Sequence, residues 1–186
     1  MSKIYDFIII GSGFGGSVSA MRLAQKGYKV AILEMGREWK NKDFTKTNWD
    51  LKNYLWFPLL KFFGIQKITF LKKVMVLHGI GVGGGSLVYA NTLLKAKDKI
   101  FDHELWPSEV NWSEEMKIHY SLAEKMLGVT TNNVMMEGEN LLKKCGEELG
   151  IAETFHPTEV GIYFGESKVV KADPYFSGAG PEREGC

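Results

Sequence analysis

Apolar positions at the amino end follow a strand, turn, helix, strand order. Tyr5, Phe7, Ile8, Ile9 and Ile10 form a β-branched and aromatic run that predicts a buried parallel strand. After the glycine cluster GSGFGG, Gly11 to Gly16, the residues Ala20, Leu23, Ala24 and Gly27 recur at helical spacing, which predicts a helix ending at Gly27. Val30, Ala31, Ile32 and Leu33 predict a second strand that closes at Glu34. Farther on, Val74, Met75, Val76 and Leu77 lead into a second glycine cluster, GIGVGGGS, Gly79 to Ser86. Met116, Tyr120, Ala123 and Leu127 form a helical stripe ending before Gly128, with Ser113 as the expected N-cap and Glu114 and Glu115 in the first turn. Leu141, Leu142, Cys145 and Leu149 form another, ending at Gly150, although Gly146 weakens it by about 1 kcal/mol relative to alanine. Asp173, Pro174, Tyr175 and Phe176 read as a turn.

The first unit has the order that dinucleotide binding requires, complete within about thirty residues. Gly11 permits the tight turn, Gly13 removes a side chain where a pyrophosphate must approach the backbone, and Gly16 lets the helix pack closely on the strand. Ser12, Phe14 and Gly15 complete the phosphate loop, and the helix N-terminus offers unpaired N–H groups with partial positive charge. Glu34 stands where a carboxylate accepts from the adenosine ribose hydroxyls, which disfavours a 2′-phosphate and hence NADP. In the second cluster Gly79, Gly81, Gly83, Gly84 and Gly85 leave almost no side chains, a surface suited to a large flat ligand lying against main chain.

Together the two clusters resemble the glucose-methanol-choline family of FAD-dependent oxidoreductases, in its cholesterol oxidase-like subgroup. GSGFGGSVSAMRLAQKGYKVAILEMGREW is similar to the family's amino terminus, GVGGGSLVYANTLL to its glycine-serine loop, and DPYFSGAGPEREGC to a segment of the subgroup. The resemblance implies an α/β fold, a Rossmann-like FAD-binding domain with a parallel sheet and additional helical segments. It also implies that Gly83, Gly84, Gly85 and Ser86 contact the cofactor, with Asn91 close to the flavin ring. The implied reaction takes a hydride from a hydroxyl-bearing carbon, such as a steroid 3-hydroxyl, onto the flavin. A quinone, another carrier or oxygen would then reoxidise it, and some members of the subgroup also isomerise the steroid double bond.

The resemblance covers the first third or so of a typical member, so the expectation is an incomplete FAD domain, with the rest of the polypeptide as its missing partner and the catalytic base after Cys186. None of His78, His103, His119 and His156 matches that base, and no catalytic or metal-binding residue is assigned. His78 reads as a loop histidine satisfied by backbone. The expected organisation is a βαβ unit over 1–40, a basic and aromatic insertion or lid over 41–75, the second glycine loop and following helix over 76–128, and the start of a substrate-side region over 129–186. Two other readings stand beside this one: an NAD-dependent dehydrogenase, and a non-catalytic flavin-binding fragment or pseudoenzyme.

Net charge of +1 points to no nucleic-acid partner. Cys145 and Cys186 form no disulfide framework or metal site, which favours a reducing compartment. The start MSKIYDFIII could pass for a signal peptide, but the glycines interrupt it, and the expected location is cytoplasmic. The uncharged stretch between Lys73 and Lys95 is too rich in glycine for a membrane-spanning helix. Charge is locally uneven: from Gly36 to Lys73 there are nine basic residues and three acidic ones. Within that segment YLWFPLLKFFGI, Tyr54 to Ile65, interleaves aromatic, aliphatic and basic residues. It reads either as a lid burying its rings over the cofactor or substrate domain, or as a peripheral membrane contact through Trp56, Phe57, Phe62 and Phe63.

Overall fold

The computed structural model describes residues 4–186; Met1 to Lys3, part of the start that could pass for a signal peptide, lie outside the described residues. The chain forms two compact units, Met1–Ala90 and Asn91–Cys186, and the boundary falls inside the 76–128 segment.

In the first unit β1 (Phe7–Ile10) leads through the glycine turn into α1 (Phe14–Gln25), and β2 (Val30–Leu33) pairs with β1 in parallel, Phe7 opposite Val30 and Ile10 opposite Leu33. The helix stops where Gly27 takes φ 91°, a conformation that costs glycine no Cβ clash. Ala20 is buried on the helix, yet Ile8 is 64% and Ile10 88% exposed. The expected fully buried strand is thus covered on one face only: β1 and β2 make a two-stranded sheet, and among the described residues nothing packs on the side that Ile8 and Ile10 present.

Next come a short helix α2 (Leu51–Tyr54) and two antiparallel hairpins, β3 (Trp56–Phe57) with β4 (Phe62–Phe63) and β5 (Gln66–Phe70) with β6 (Met75–Gly79). Trp56 faces Phe63 across the first hairpin, ring centroids 5.5 Å apart and edge to face, so this aromatic pair staples the strands. Ile65 and Ile80 are buried at the base of the second hairpin, where the Ile80 N–H donates to the Ile65 carbonyl.

The second unit contains α3 (Trp112–Leu127), α4 (Glu137–Glu148) and two short antiparallel ladders: β7 (Thr130–Thr131) with β8 (Glu159–Val160), and β9 (Val170–Lys171) with β10 (Arg183–Glu184). The N-cap of α3 is Asn111, not the expected Ser113: the Asn111 Oδ1 accepts from the Glu114 N–H at 3.3 Å, and Ser113 lies inside the first turn. Glu114 and Glu115 occupy that turn, and Gly128 closes the helix at φ 63°. Asn111→Ala is therefore expected to cost about 1 kcal/mol, and Ser113→Ala a few tenths at most. Urea denaturation of both variants checks the assignment. The expected turn at Asp173 is organised by its buried carboxylate, which accepts from the Tyr175, Phe176 and Gly180 N–H groups.

Candidate functional site

Three glycines of the first loop meet different demands. Gly11 sits at φ 89°, where a side chain is strained. A Cβ on Gly16 would run into the Gly11 carbonyl oxygen and lie 3.3 Å from the Ile9 Cγ2, so its absence lets α1 close onto β1. At Gly13 and Gly15 a Cβ would meet no protein atom within 4 Å. Packing does not call for glycine there, and the two positions leave a bare-backbone cradle. Gly13 is the N-cap of α1, and no side chain caps the helix, so its first N–H groups remain available to an anion.

Ser12 holds this loop in place. It is only 4% exposed. Its N–H and its hydroxyl both donate to Glu34 Oε2, at 2.9 and 2.6 Å, and its carbonyl accepts from the Ser17 hydroxyl. Glu34 Oε1 accepts from the Gly36 N–H at 3.0 Å. Partial burial pushes the Glu34 carboxyl up, but the hydrogen bonds from Gly36, Ser12 and Met35 outweigh it and hold the group below the ordinary carboxylate range. Glu34 therefore stays ionised, and it tethers the phosphate loop to the end of β2.

The second glycine cluster docks on the first. The Gly83 N–H donates to the Ser12 hydroxyl at 3.1 Å, so one buried oxygen serves Glu34 as donor and Gly83 as acceptor. Gly84, at φ 54°, places its Cα so that a Cβ would lie 2.8 Å from the Gly13 Cα. The Phe14 ring lies along Gly85 and stacks edge to face on Tyr89 at 5.7 Å. The segment after β2 closes the arrangement: Trp39 Nε1 donates to the Ile80 carbonyl, and the Val82 N–H donates to the Arg37 carbonyl. Gly11 to Gly16, Glu34 and Gly83 to Ser86 thus form one surface dominated by backbone. Ser86 turns its hydroxyl to the Gly83 carbonyl at 2.9 Å. Asn91 belongs to the second unit, at φ 55°, where its carbonyl accepts from the Gly161 N–H.

The histidines take structural positions. His78 lies on β6 rather than in a loop, and its Nε2 bonds the Thr69 hydroxyl across the hairpin at 3.0 Å, a side-chain partner in place of the expected backbone one. His103 and His156 bond local backbone, and His119 stands 4.0 Å from Glu115 on the exposed face of α3. Cys145 and Cys186 are free and exposed.

A bare-backbone cradle at a helix N-terminus, with an ionised carboxylate at the end of the next strand, is the arrangement of a Rossmann-type dinucleotide site. Residues 5–58 match the family model described as pyridine nucleotide-disulphide oxidoreductase, and this segment is an FAD/NAD-binding βαβ unit. The chain is also 48% identical to a cholesterol oxidase of Acinetobacter baumannii, over 98% of this chain and 34% of that protein. The chain is thus similar to the amino-terminal third of cholesterol oxidases. A cholesterol oxidase of Mycobacterium tuberculosis strain H37Rv is 47% identical over the whole chain and 33% of its own length. A long-chain-alcohol oxidase of Arabidopsis thaliana is 30% identical over 82% of the chain and 20% of its own length. The chain therefore spans about a third of the length of the curated relatives it matches.

Signals for most of this site were present in the sequence, but the function of Ser12 as the joint between Glu34 and Gly83 was not, because the hydroxyl and the amide are 71 positions apart.

Proposed function

We propose that this chain binds FAD and that the full-length protein oxidises the hydroxyl-bearing carbon of a sterol or a related alcohol. The observation that carries this reading is the joining of two glycine loops through the Ser12 hydroxyl, which turns two bare-backbone segments into one ligand-facing surface. A single phosphate turn is enough for a simple nicotinamide dehydrogenase. A second glycine loop docked on the first supports a longer ligand, one that continues past the pyrophosphate. The residues present fit FAD: Gly13, Gly15 and the open N-terminus of α1 would receive the pyrophosphate, Glu34 the adenosine ribose, and Gly83, Gly84, Gly85 and Ser86 the continuation toward the flavin. Bound there, FAD would supply the two-electron acceptor for conversion of a CH–OH group to a carbonyl. The protein's own contribution in this region is positional: Ser12 and Glu34 keep the loops together, and the ionised Glu34 repels a 2′-phosphate. Asn91, which opens the second unit directly after this loop region, is proposed to stand close to the flavin ring. The relatives' names make a sterol the first substrate to test and a long-chain alcohol the second.

The test is the visible spectrum and turnover of the full-length protein. Flavin bands in the purified protein, with oxidation of sterols in preference to sugars and short alcohols, are the expected result. NAD binding without flavin would overturn the assignment, and flavin binding without turnover of any alcohol would reduce the protein to a flavin-binding module.

A further inference from the structure

Five of the seven positions from Gly79 to Gly85 are glycine, and Gly81, Gly83 and Gly84 take φ values of 141°, 107° and 54°. Glycine loses more conformational freedom on ordering than any other residue, so a segment of this composition has to be held still from outside. Its own hydrogen bonds do not do this. The Gly84, Ser86 and Tyr89 N–H groups donate to the Gly81, Gly83 and Gly85 carbonyls, which folds the segment without attaching it to the first loop.

That attachment follows a regular register. Ser12 bonds Gly83, Gly13 abuts Gly84, and Phe14 lies against Gly85, each pair 71 positions apart. The two glycine loops therefore run side by side in one direction over three residues. Ser12 is 4% exposed and Phe14 46%, so the seam has a polar fastener on its buried side and an apolar one on its outer side. A Cβ on Gly85 would lie 3.6 Å from the Phe14 ring, an ordinary packing distance. The same ring meets half-buried Tyr89 edge to face, with an interplanar angle of 89°, and the Tyr89 N–H bonds the Gly85 carbonyl. Gly85 is thus held between the Phe14 ring and the Tyr89 backbone. Both aromatic residues belong to the first unit, so these contacts do not depend on what covers its outer surface.

We infer that Phe14 and Tyr89 are positioning residues for the flavin half of the cofactor, an inference that rests on the FAD reading above. In that reading the first loop and Glu34 receive the ADP half, and the second loop receives what continues past the pyrophosphate. Phe14 stands in the phosphate loop by sequence, yet its ring is engaged by Gly85 and Tyr89, and its part is to keep the second loop in register with the first. Without the ring pair the glycine segment leaves that register for part of the time. Apparent affinity then falls with the fraction of protein still aligned. Only a ligand long enough to reach the second loop is sensitive to that fraction.

The test uses the full-length protein, stripped of flavin and titrated with ADP and with FAD. Phe14→Leu and Tyr89→Leu are each expected to weaken FAD binding about tenfold, the loss that one edge-to-face pair and its burial can supply, and to leave ADP binding unchanged. The double variant is expected to lose no more than either single one, since both remove the same contact. Phe14→Tyr keeps the ring pair and is expected to bind FAD as the wild-type protein does. In the ligand-free protein, hydrogen exchange of residues 83–89 quickens in Phe14→Leu while that of α1 stays as it was. Equal losses of ADP and FAD affinity, additive losses in the double variant, or FAD affinity unchanged in both single variants overturn the inference and leave the FAD reading standing. Wild-type protein that takes up no FAD overturns that reading and this inference with it.

Discussion

Gly16→Ala lowers the stability of the ligand-free protein by about 2 kcal/mol, whereas Gly13→Ala leaves stability unchanged and abolishes most dinucleotide affinity. At Gly16 the new methyl meets the Gly11 carbonyl oxygen and the Ile9 side chain. Neither is the far end of a flexible side chain, so α1 has to lift from β1. The helix-propensity gain of alanine over glycine, about 1 kcal/mol, is too small to offset that displacement. At Gly13 the methyl meets nothing in the protein, and the backbone at φ −66° is open to any L residue. Its cost therefore appears only when a pyrophosphate approaches, as an affinity loss of about tenfold to a hundredfold, the equivalent of about 1.4 to 2.8 kcal/mol. Melting of the apoprotein and titration with FAD separate the two effects. Equal destabilisation by both variants would mean that Gly13, too, is demanded by packing rather than by a ligand.

The second large effect is expected at Ser12. Ser12→Ala removes a donor from an ionised carboxylate and the acceptor of the Gly83 N–H, with an expected loss of about 2 to 3 kcal/mol. The loss depends on pH. The Glu34 carboxyl titrates below its ordinary range in the folded protein, so its contribution to stability is fully present above the unfolded value and disappears as pH falls through the folded one. Removing the Ser12 hydroxyl raises the folded value toward the ordinary range. The gap between the wild-type protein and the variant is therefore widest at neutral pH and narrows in acid, once Glu34 is protonated in both. Urea denaturation at a series of pH values measures it. A gap that does not change with pH would assign the whole effect to Gly83 and leave the Glu34 bond without energetic weight. Because the same hydroxyl joins both glycine loops, FAD affinity is expected to fall with stability in this variant, unlike in Gly13→Ala.

Elements written in local periodicity were legible. The stripe from Ala20 to Gly27, the run from Val30 to Leu33 and the stripes preceding Gly128 and Gly150 each became the expected helix or strand, since spacing alone decides which side chains share a face. Capping was less determinate. Asn111 and Ser113 are both good caps, and the choice depends on which oxygen reaches an N–H three residues on. The run from Tyr54 to Ile65 gave no period at all. Its hairpin exists because Trp56 and Phe63 stack across a turn set by Pro58, a pairing of residues that composition does not reveal. The exposure of Ile8 and Ile10 was equally hidden, because a β-branched run specifies a strand without specifying how many faces are covered.

The sequence by itself determined the βαβ unit and the glycines that a dinucleotide requires, because turn, helix and strand preferences act over a few neighbouring residues. Only the tertiary structure decided that the second glycine loop closes on the first through one buried hydroxyl, that Glu34 is held by protein donors, and that the Phe14 ring lies against Gly85 and Tyr89. Those outcomes depend on contacts between residues tens of positions apart, whose formation is governed by packing and register rather than by any local preference.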